Sequence, residues 1–563
     1  MRNTANSAAL RMLPISPVAL LTLMLLFVLV WFMQLNWRHL IPSDEGRYAE
    51  IAREMLITGD WITPRYNGYK YFEKPPLQTW FNAMTFAWFG LGDWQPRLYT
   101  ALCGFAGILL VGYTGVRVFN PAAGLMAALV LAASPYWNIM GHLNVLDTGL
   151  AFWMALTLCS LLLAQREHLP DRTRCSWMWL CWASMALAVL SKGLVGLILP
   201  SVTLVSYNVV TRDWATWKRL NLISGGLVFS TIVLPWFVLV QRNNPEFFHY
   251  FFIVQQFERY LTPAQHRPGP FYYFVGVLFV GFLPWVSIAA QSVYRGWQIP
   301  RQQNGFTPVI LLLIWSTVIF LFFSASHSKL VSYTLPVAPA LALVIGLYLS
   351  GVTNSQWKRH LLSYAAFLVI AALIAHFALI RHGDAKTPNA LYREFVVWVE
   401  VAIGVGFFLT LLAYWIARQL EKTTESIVIF SIGWFLLSTI VGNGHEVFGQ
   451  QRSGALLAPA IRAEFSKLPA DTPFYSVDML DHTLPFYVQH TTIMVRHTDE
   501  LWFGATIEPT KWIPTIEQWR ARWYRAESAL ALLPPSLYEQ LAVSGVPMKM
   551  IAHDRWRVIV AKP

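Results

Sequence analysis

Just behind the first apolar run, acids and bases stand close together in two short stretches: Ser43-Asp44-Glu45-Gly46-Arg47-Tyr48, and Tyr71-Phe72-Glu73-Lys74-Pro75-Pro76-Leu77. The adjacent carboxylates of Asp44 and Glu45 suit general acid or base work. They equally suit an ordinary helix opening, where acids meet free N–H groups, with Ser43 as the expected cap. Lys74 precedes Pro75, which biases it towards an extended conformation, and Pro76 fits the first turn of a helix. An ammonium beside free backbone N–H groups makes a phosphate site. The plainer alternative is a surface ion pair with Glu73.

More charges stand at the ends of later apolar runs. Asp147 follows His142-Leu143-Asn144-Val145-Leu146, Lys192 follows Ser191, and Lys329 precedes Tyr333-Thr334-Leu335-Pro336. Any one of these would be explained by snorkelling at a membrane boundary; several on one face point to a site. Residues 247–270 include Phe248, His249, Tyr250, Phe251, Phe252, Phe257, Glu258, Arg259 and Tyr260. That pattern fits an interfacial helix or a cover over a lipid-entry groove. In the tail, Asp478, Asp481, His482 and His497 read as surface residues.

The elements that must position these residues are membrane spans. Of 563 residues, 56% are hydrophobic and 13% charged, which excludes an ordinary soluble protein. Apolar runs recur through residues 1–441, and hydropathy predicts about 13 transmembrane helices there. The first, residues 16–35, lacks a small-residue cleavage site and is expected to stay as an anchor. Residues 442–563 mix prolines, charges and β-rich runs at residues 474–477, 492–495 and 557–560, and read as a soluble α/β domain. The fold class is therefore mainly α and polytopic, with amphipathic helices beside the membrane in the first long loop, the first of them carrying Ile51, Met55 and Leu56 as an apolar stripe suited to the interface.

The net charge of +12 sets topology and does not indicate nucleic acid. Every second connection is basic: Arg117; Arg166, Arg172 and Arg174; Arg212, Lys218 and Arg219; Arg295 and Arg301; Lys358 and Arg359; Arg418 and Lys422. The long connections, residues 36–95, 242–270 and 381–395, fall on the other side, and an odd number of spans puts the tail there too. The four cysteines form neither a disulfide framework nor a zinc motif.

Taken together, Asp44-Glu45-Gly46-Arg47-Tyr48, Tyr71 to Leu77, Asp147, Ser191-Lys192-Gly193 and Ser328 to Pro336 resemble the GT-C membrane glycosyltransferases, and within them the lipid A 4-amino-4-deoxy-L-arabinose transferases. The resemblance implies a multi-pass enzyme of the bacterial inner membrane, with its active site and tail domain periplasmic. It implies inverting transfer of the aminosugar from undecaprenyl phosphate to a lipid A phosphate, which lowers surface charge and confers polymyxin resistance. It makes Asp44 the principal catalytic carboxylate, with Glu45 beside it and Asp147 as a second acid. Lys74, Arg47, Tyr48, Tyr71, Lys192, Arg259, Tyr333 and Lys329 would surround the carrier phosphate and donor sugar. A divalent metal such as zinc near Glu73 and His266 is also implied, although these two are fewer than the three or four donors zinc takes.

Two other readings fit the same residues. One keeps the carrier but changes sugar or acceptor, to a protein or another glycan. The other is a polyprenyl-phosphate transporter, against which stand the lack of an internal repeat and the gathering of polar residues on one face.

Overall fold

The computed structural model describes residues 17–258, 268–298 and 301–563, and its chain divides into two compact units. The first comprises Met1–Gln34, Tyr99–Leu379 and Val396–Gly442; the second comprises Leu35–Leu98, Ile380–Phe395 and Asn443–Pro563. Hydropathy marks a boundary near residue 441, yet the first long loop gathers with the tail.

The first unit is helical. Among the described residues eight helices are long and apolar enough to cross a membrane, and two bent pairs raise that number to ten. Shorter apolar helices, Leu21–Asn36 and Val195–Thr211, accompany them. Prolines break two of the apolar runs into bent pairs. Pro135 divides Pro121–Ala133 from Pro135–Gly141 with a bend of 64°, and Tyr273–Gly281 turns by 81° into Leu283–Trp297, where Pro284 stands. A break at membrane depth must satisfy its backbone within the protein. The Val130 carbonyl, near the first break, accepts from Ser134 Oγ at 2.7 Å and from Trp285 Nε1 at 3.1 Å.

Small residues bring the helices close, as expected where lipid gives helices no hydrophobic drive to associate. A Cβ on Gly115 would lie 2.7 Å from Gly124 Cα, and one on Gly346 would lie 2.5 Å from the Ala127 nitrogen.

The second unit holds a two-stranded ribbon and a five-stranded sheet. The ribbon pairs β1 (Arg65–Tyr66) with β2 (Tyr69–Lys70) across Asn67 and Gly68, both at positive φ, the Asn-Gly signature of a tight hairpin. The sheet comprises β3 (Phe474–Val477), β4 (Ile493–Val495), β5 (Leu530–Leu533), β6 (Lys549–His553) and β7 (Val558–Ala561), in the order β4-β3-β5-β7-β6. β3 runs parallel to β4 and β5, while β7 is antiparallel to β5 and β6. Alternate residues of β5 enter different cores: Ala531 and Leu533 join Trp519, Trp523 and Leu537, and Leu530 and Leu532 join Ile461 and Leu484.

Helix Asp44–Thr58 begins right after Ser43, although Ser43 makes no side-chain capping bond, contrary to expectation. It stops at Gly59, whose φ of 68° is the left-handed form glycine adopts freely, and whose N–H bonds the Met55 carbonyl at 3.1 Å. The stripe expected to lie on the membrane interface is covered by protein instead. Met55, with Ala49 and Ala52, packs on Ala83 and Phe86 of helix Leu77–Phe89 and on Phe486, while Ile51 is buried as well.

Candidate active site

In the second unit, the residue types of Asp44 to Tyr48 become a connected cluster. Arg47, one helical turn after Asp44, donates through Nη2 to the Asp44 carboxylate and through Nη1 to Glu500. The Arg47 guanidinium also lies over the Tyr48 ring, 5.1 Å from its centroid. Tyr66 stands edge-on to Tyr71 at 5.8 Å, and its hydroxyl meets His482 Nδ1 at 2.8 Å. Burial pushes the Tyr48, Tyr66 and Tyr71 phenols above their usual range, so all three remain neutral. Burial, and then the Arg47 charge, pulls His482 down, which keeps the imidazole neutral as well. Gly46 is required by this arrangement, because a Cβ there would lie 2.3 Å from the His482 carbonyl oxygen.

The two adjacent acids differ in environment. The Asp44 side chain is 39% exposed and that of Glu45 1%. Arg97 grips Glu45 with two bonds of 2.7 Å, Nε to Oε1 and Nη2 to Oε2. Asp44 can therefore meet a substrate, whereas Glu45 fixes the helix that carries Asp44. Lys74 is half-buried and stands before helix Leu77–Phe89, with Pro76 preceding its first residue as expected; Glu73 is buried.

In the first unit, Gly193, at φ 96°, ends helix Asp171–Lys192 so that Lys192 is its last residue. Lys192 Nζ donates to Asp147, in the first turn of helix Leu146–Ala164, and lies 4.7 Å from the Tyr333 ring centroid. Lys329 serves the backbone: its Nζ donates to the carbonyls of Phe323, Ser324 and Ser326 at 2.9, 2.6 and 2.6 Å. Those bonds hold the turn that leads into Tyr333. In the aromatic stretch, Phe247 and Phe251 are buried and stack at 5.2 Å, Phe247 packs edge-on against Trp236 at 5.5 Å, and Phe248 is exposed. Arg259 and His266 lie outside the described residues.

Similarity to known proteins extends over 97% of the chain. A family model described as aminoarabinose transferase C-terminal domain matches residues 457–562, and one described as dolichyl-phosphate-mannose-protein mannosyltransferase matches residues 16–251. The undecaprenyl phosphate-alpha-4-amino-4-deoxy-L-arabinose arabinosyl transferase of Erwinia tasmaniensis is 30% identical over 400 residues, which are 68% of this chain and 69% of the relative. A homologue of the same name from Sodalis glossinidius is 29% identical over 426 residues, 74% of each chain. The crystal structure of ArnT from Cupriavidus metallidurans bound to undecaprenyl phosphate matches with a TM-score of 0.93 at 39% identity, over 97% of this chain and 98% of that one. The chain belongs to the ArnT family of arabinosyl transferases.

As a member of the ArnT family it is a multi-pass membrane glycosyltransferase. Of the two expected metal ligands, Glu73 is buried and His266 lies outside the described residues; among the described residues no three of His, Cys, Asp and Glu come close enough to share an ion.

Four residues around the ArnT cluster are absent from the sequence reading or misplaced by it. Glu500 and Arg97 bond to residues 453 and 52 positions away, and no local pattern announces such pairs. Asp481 and His482, expected at the surface, are structural. Asp481 accepts from Arg557 Nη1 at 2.7 Å and from the Leu484 and Thr483 N–H groups at 2.7 and 2.9 Å. Against its burial, these partners hold the Asp481 carboxyl below its usual range. An Asp-His-Thr sequence ahead of helix Leu484–Val488 does carry the signature of such a turn.

Proposed function

We propose that the chain transfers 4-amino-4-deoxy-L-arabinose from undecaprenyl phosphate to a phosphate of lipid A, with inversion at the anomeric carbon, on the periplasmic face of the inner membrane. The observation that carries this reading is similarity over nearly the full length to an ArnT bound to undecaprenyl phosphate. The aminosugar adds an amine beside a lipid A phosphate, so the surface becomes less anionic and attracts cationic peptides such as polymyxin less strongly.

The chemistry assigns roles. The bond between the anomeric carbon and the carrier phosphate oxygen breaks, and a bond to an acceptor phosphate oxygen forms. The departing phosphate takes up negative charge, which preplaced cations stabilise most where water is scarce. Lys74, ahead of a helix N-terminus, and Lys192, fixed by Asp147 beside Tyr333, supply such charge. The acceptor phosphate, whose second pKa is about 6, is mostly deprotonated at neutral pH and needs no strong base. Asp44, oriented by Arg47 and open to solvent, then orients the acceptor, takes a residual proton or faces the positive charge at the sugar. Glu45 and Arg47 act by position, and Tyr48 and Tyr71 as neutral walls.

The test is transfer in vitro from defined undecaprenyl-phosphate sugars to purified lipid A, read by mass spectrometry. The expected product is lipid A heavier by one pentosamine on phosphate. If lipid A is unchanged while a protein or glycan acceptor gains the sugar, the acceptor assignment is wrong.

A further inference from the structure

The span that carries Tyr333 near one end carries Tyr348 near the other, about 25 Å away at the rise of such helices. A cavity of ≈ 690 Å³ opens beside Tyr348, between helix Val286–Trp297 and helix Asn354–Leu379. We infer that this cavity is a second site, which binds the phosphate headgroup of an anionic phospholipid.

Its lining has the required chemistry. Arg295 and Arg359 both face the cavity, and among the described residues no carboxylate lines it. Neither guanidinium forms an ion pair among the described residues. Arg295 is held 5.1 Å over the Tyr348 ring, which fixes its plane and leaves its N–H groups for an oxyanion. Ser287 and Gln291 add neutral polar groups, Ser287 bonding to buried His360 and Gln291 accepting from the Tyr348 hydroxyl at 3.4 Å. Two guanidiniums without acids select an anion, and their fork geometry suits phosphate oxygens.

The mouth of the cavity selects the source of that phosphate. Tyr294, on the rim, is 68% exposed, and Trp297, one turn further, is 58% exposed. Exposed Tyr and Trp at the end of a spanning helix mark the headgroup level of a bilayer. Arg295 and Arg359 also belong to the basic short connections, which face the cytoplasm by the charge rule. A headgroup in that leaflet reaches the guanidiniums while its acyl chains stay in lipid, a geometry a soluble phosphate gains nothing from.

The full chain in detergent, stripped of lipid and titrated with phosphatidylglycerol, is measured by native mass spectrometry against the variant Arg295→Gln/Arg359→Gln. Both arginines are exposed at helix ends, so the variant should fold, and its unfolding temperature checks this. The parent should retain one phosphatidylglycerol about tenfold more tightly than the variant. Phosphatidylcholine should show no such difference. Ala290→Trp, which fills the lining without removing charge, should lose the same lipid. Equal retention by parent and variants overturns the proposal. Displacement of the lipid by millimolar inorganic phosphate would assign the site to a soluble anion and overturn the lipid source.

Discussion

Glu45 and Arg97 form a buried two-bond pair, both bonds at 2.7 Å, with 1% and 0% of their side chains exposed. The remaining N–H groups of Arg97 reach the backbone carbonyls of Leu35, Arg38 and His39 at 3.0, 2.5 and 2.9 Å. One side chain thus ties the start of helix Asp44–Thr58 to the segment preceding it. Removing one partner of a buried pair leaves an uncompensated charge, which costs about 3–5 kcal/mol. Arg97→Ala should lower the unfolding temperature of the purified protein by several degrees. A variant that melts with the parent would mean that this pair does not hold the helix.

Asp44 stands next in sequence to Glu45 and should behave in the opposite way. Its side chain is 39% exposed, and Glu500 stays on Arg47 when Asp44 is neutralised. Asp44→Asn should cut transfer to lipid A by about 100-fold or more while unfolding stays close to the parent. Near-normal transfer would remove the role assigned to Asp44.

Glu54 gives a prediction in pH. Its Oε2 accepts from the Gly68 N–H at 2.8 Å, which pins the hairpin between β1 and β2, and burial, then the Glu50 charge, pushes its carboxyl up to about 8. An unfolded Glu titrates near pH ~4.3. Between these values the folded chain keeps a proton that the unfolded chain has lost, so stability falls as pH rises through the window. Unfolding temperatures from about pH 5 to about pH 8 should drop more steeply for the parent than for Glu54→Gln. Parallel curves would show that Glu54 is ionised in the folded protein throughout.

The charged motifs, the spans and three of the five tail strands were legible because they are local. Acids behind an apolar run, Gly193 after Lys192 and the β-rich run Phe474–Val477 each announce themselves within a few residues. The partners were not legible, since Arg47 meets Glu500 and Tyr66 meets His482 only after the tail packs on the first loop. The same packing hid the division of the chain into units, because hydropathy separates lipid from water but not one water-facing segment from another. It also turned the stripe at Ile51 and Met55 from a membrane-facing surface into core. Two of the spans were blurred by prolines, which interrupt helices without interrupting apolarity.

Asp147 and Lys192 allow structure and function to be separated. Each is mostly buried in the membrane unit, and each neutralises the other. Asp147→Asn alone leaves the Lys192 ammonium without its counter-charge, and Lys192→Met alone leaves the carboxylate, so each should destabilise the protein by about 3–5 kcal/mol. The double variant removes both charges and should recover most of that stability, since a buried pair is often replaceable by apolar groups at little net cost. Transfer should not recover with it, because the cation beside Tyr333 is gone. The measurements are unfolding temperature and transfer rate for the parent, both single variants and the double variant. If activity returned together with stability in the double variant, Asp147 and Lys192 would be a structural clasp, and the carrier phosphate would have to be held by other cations.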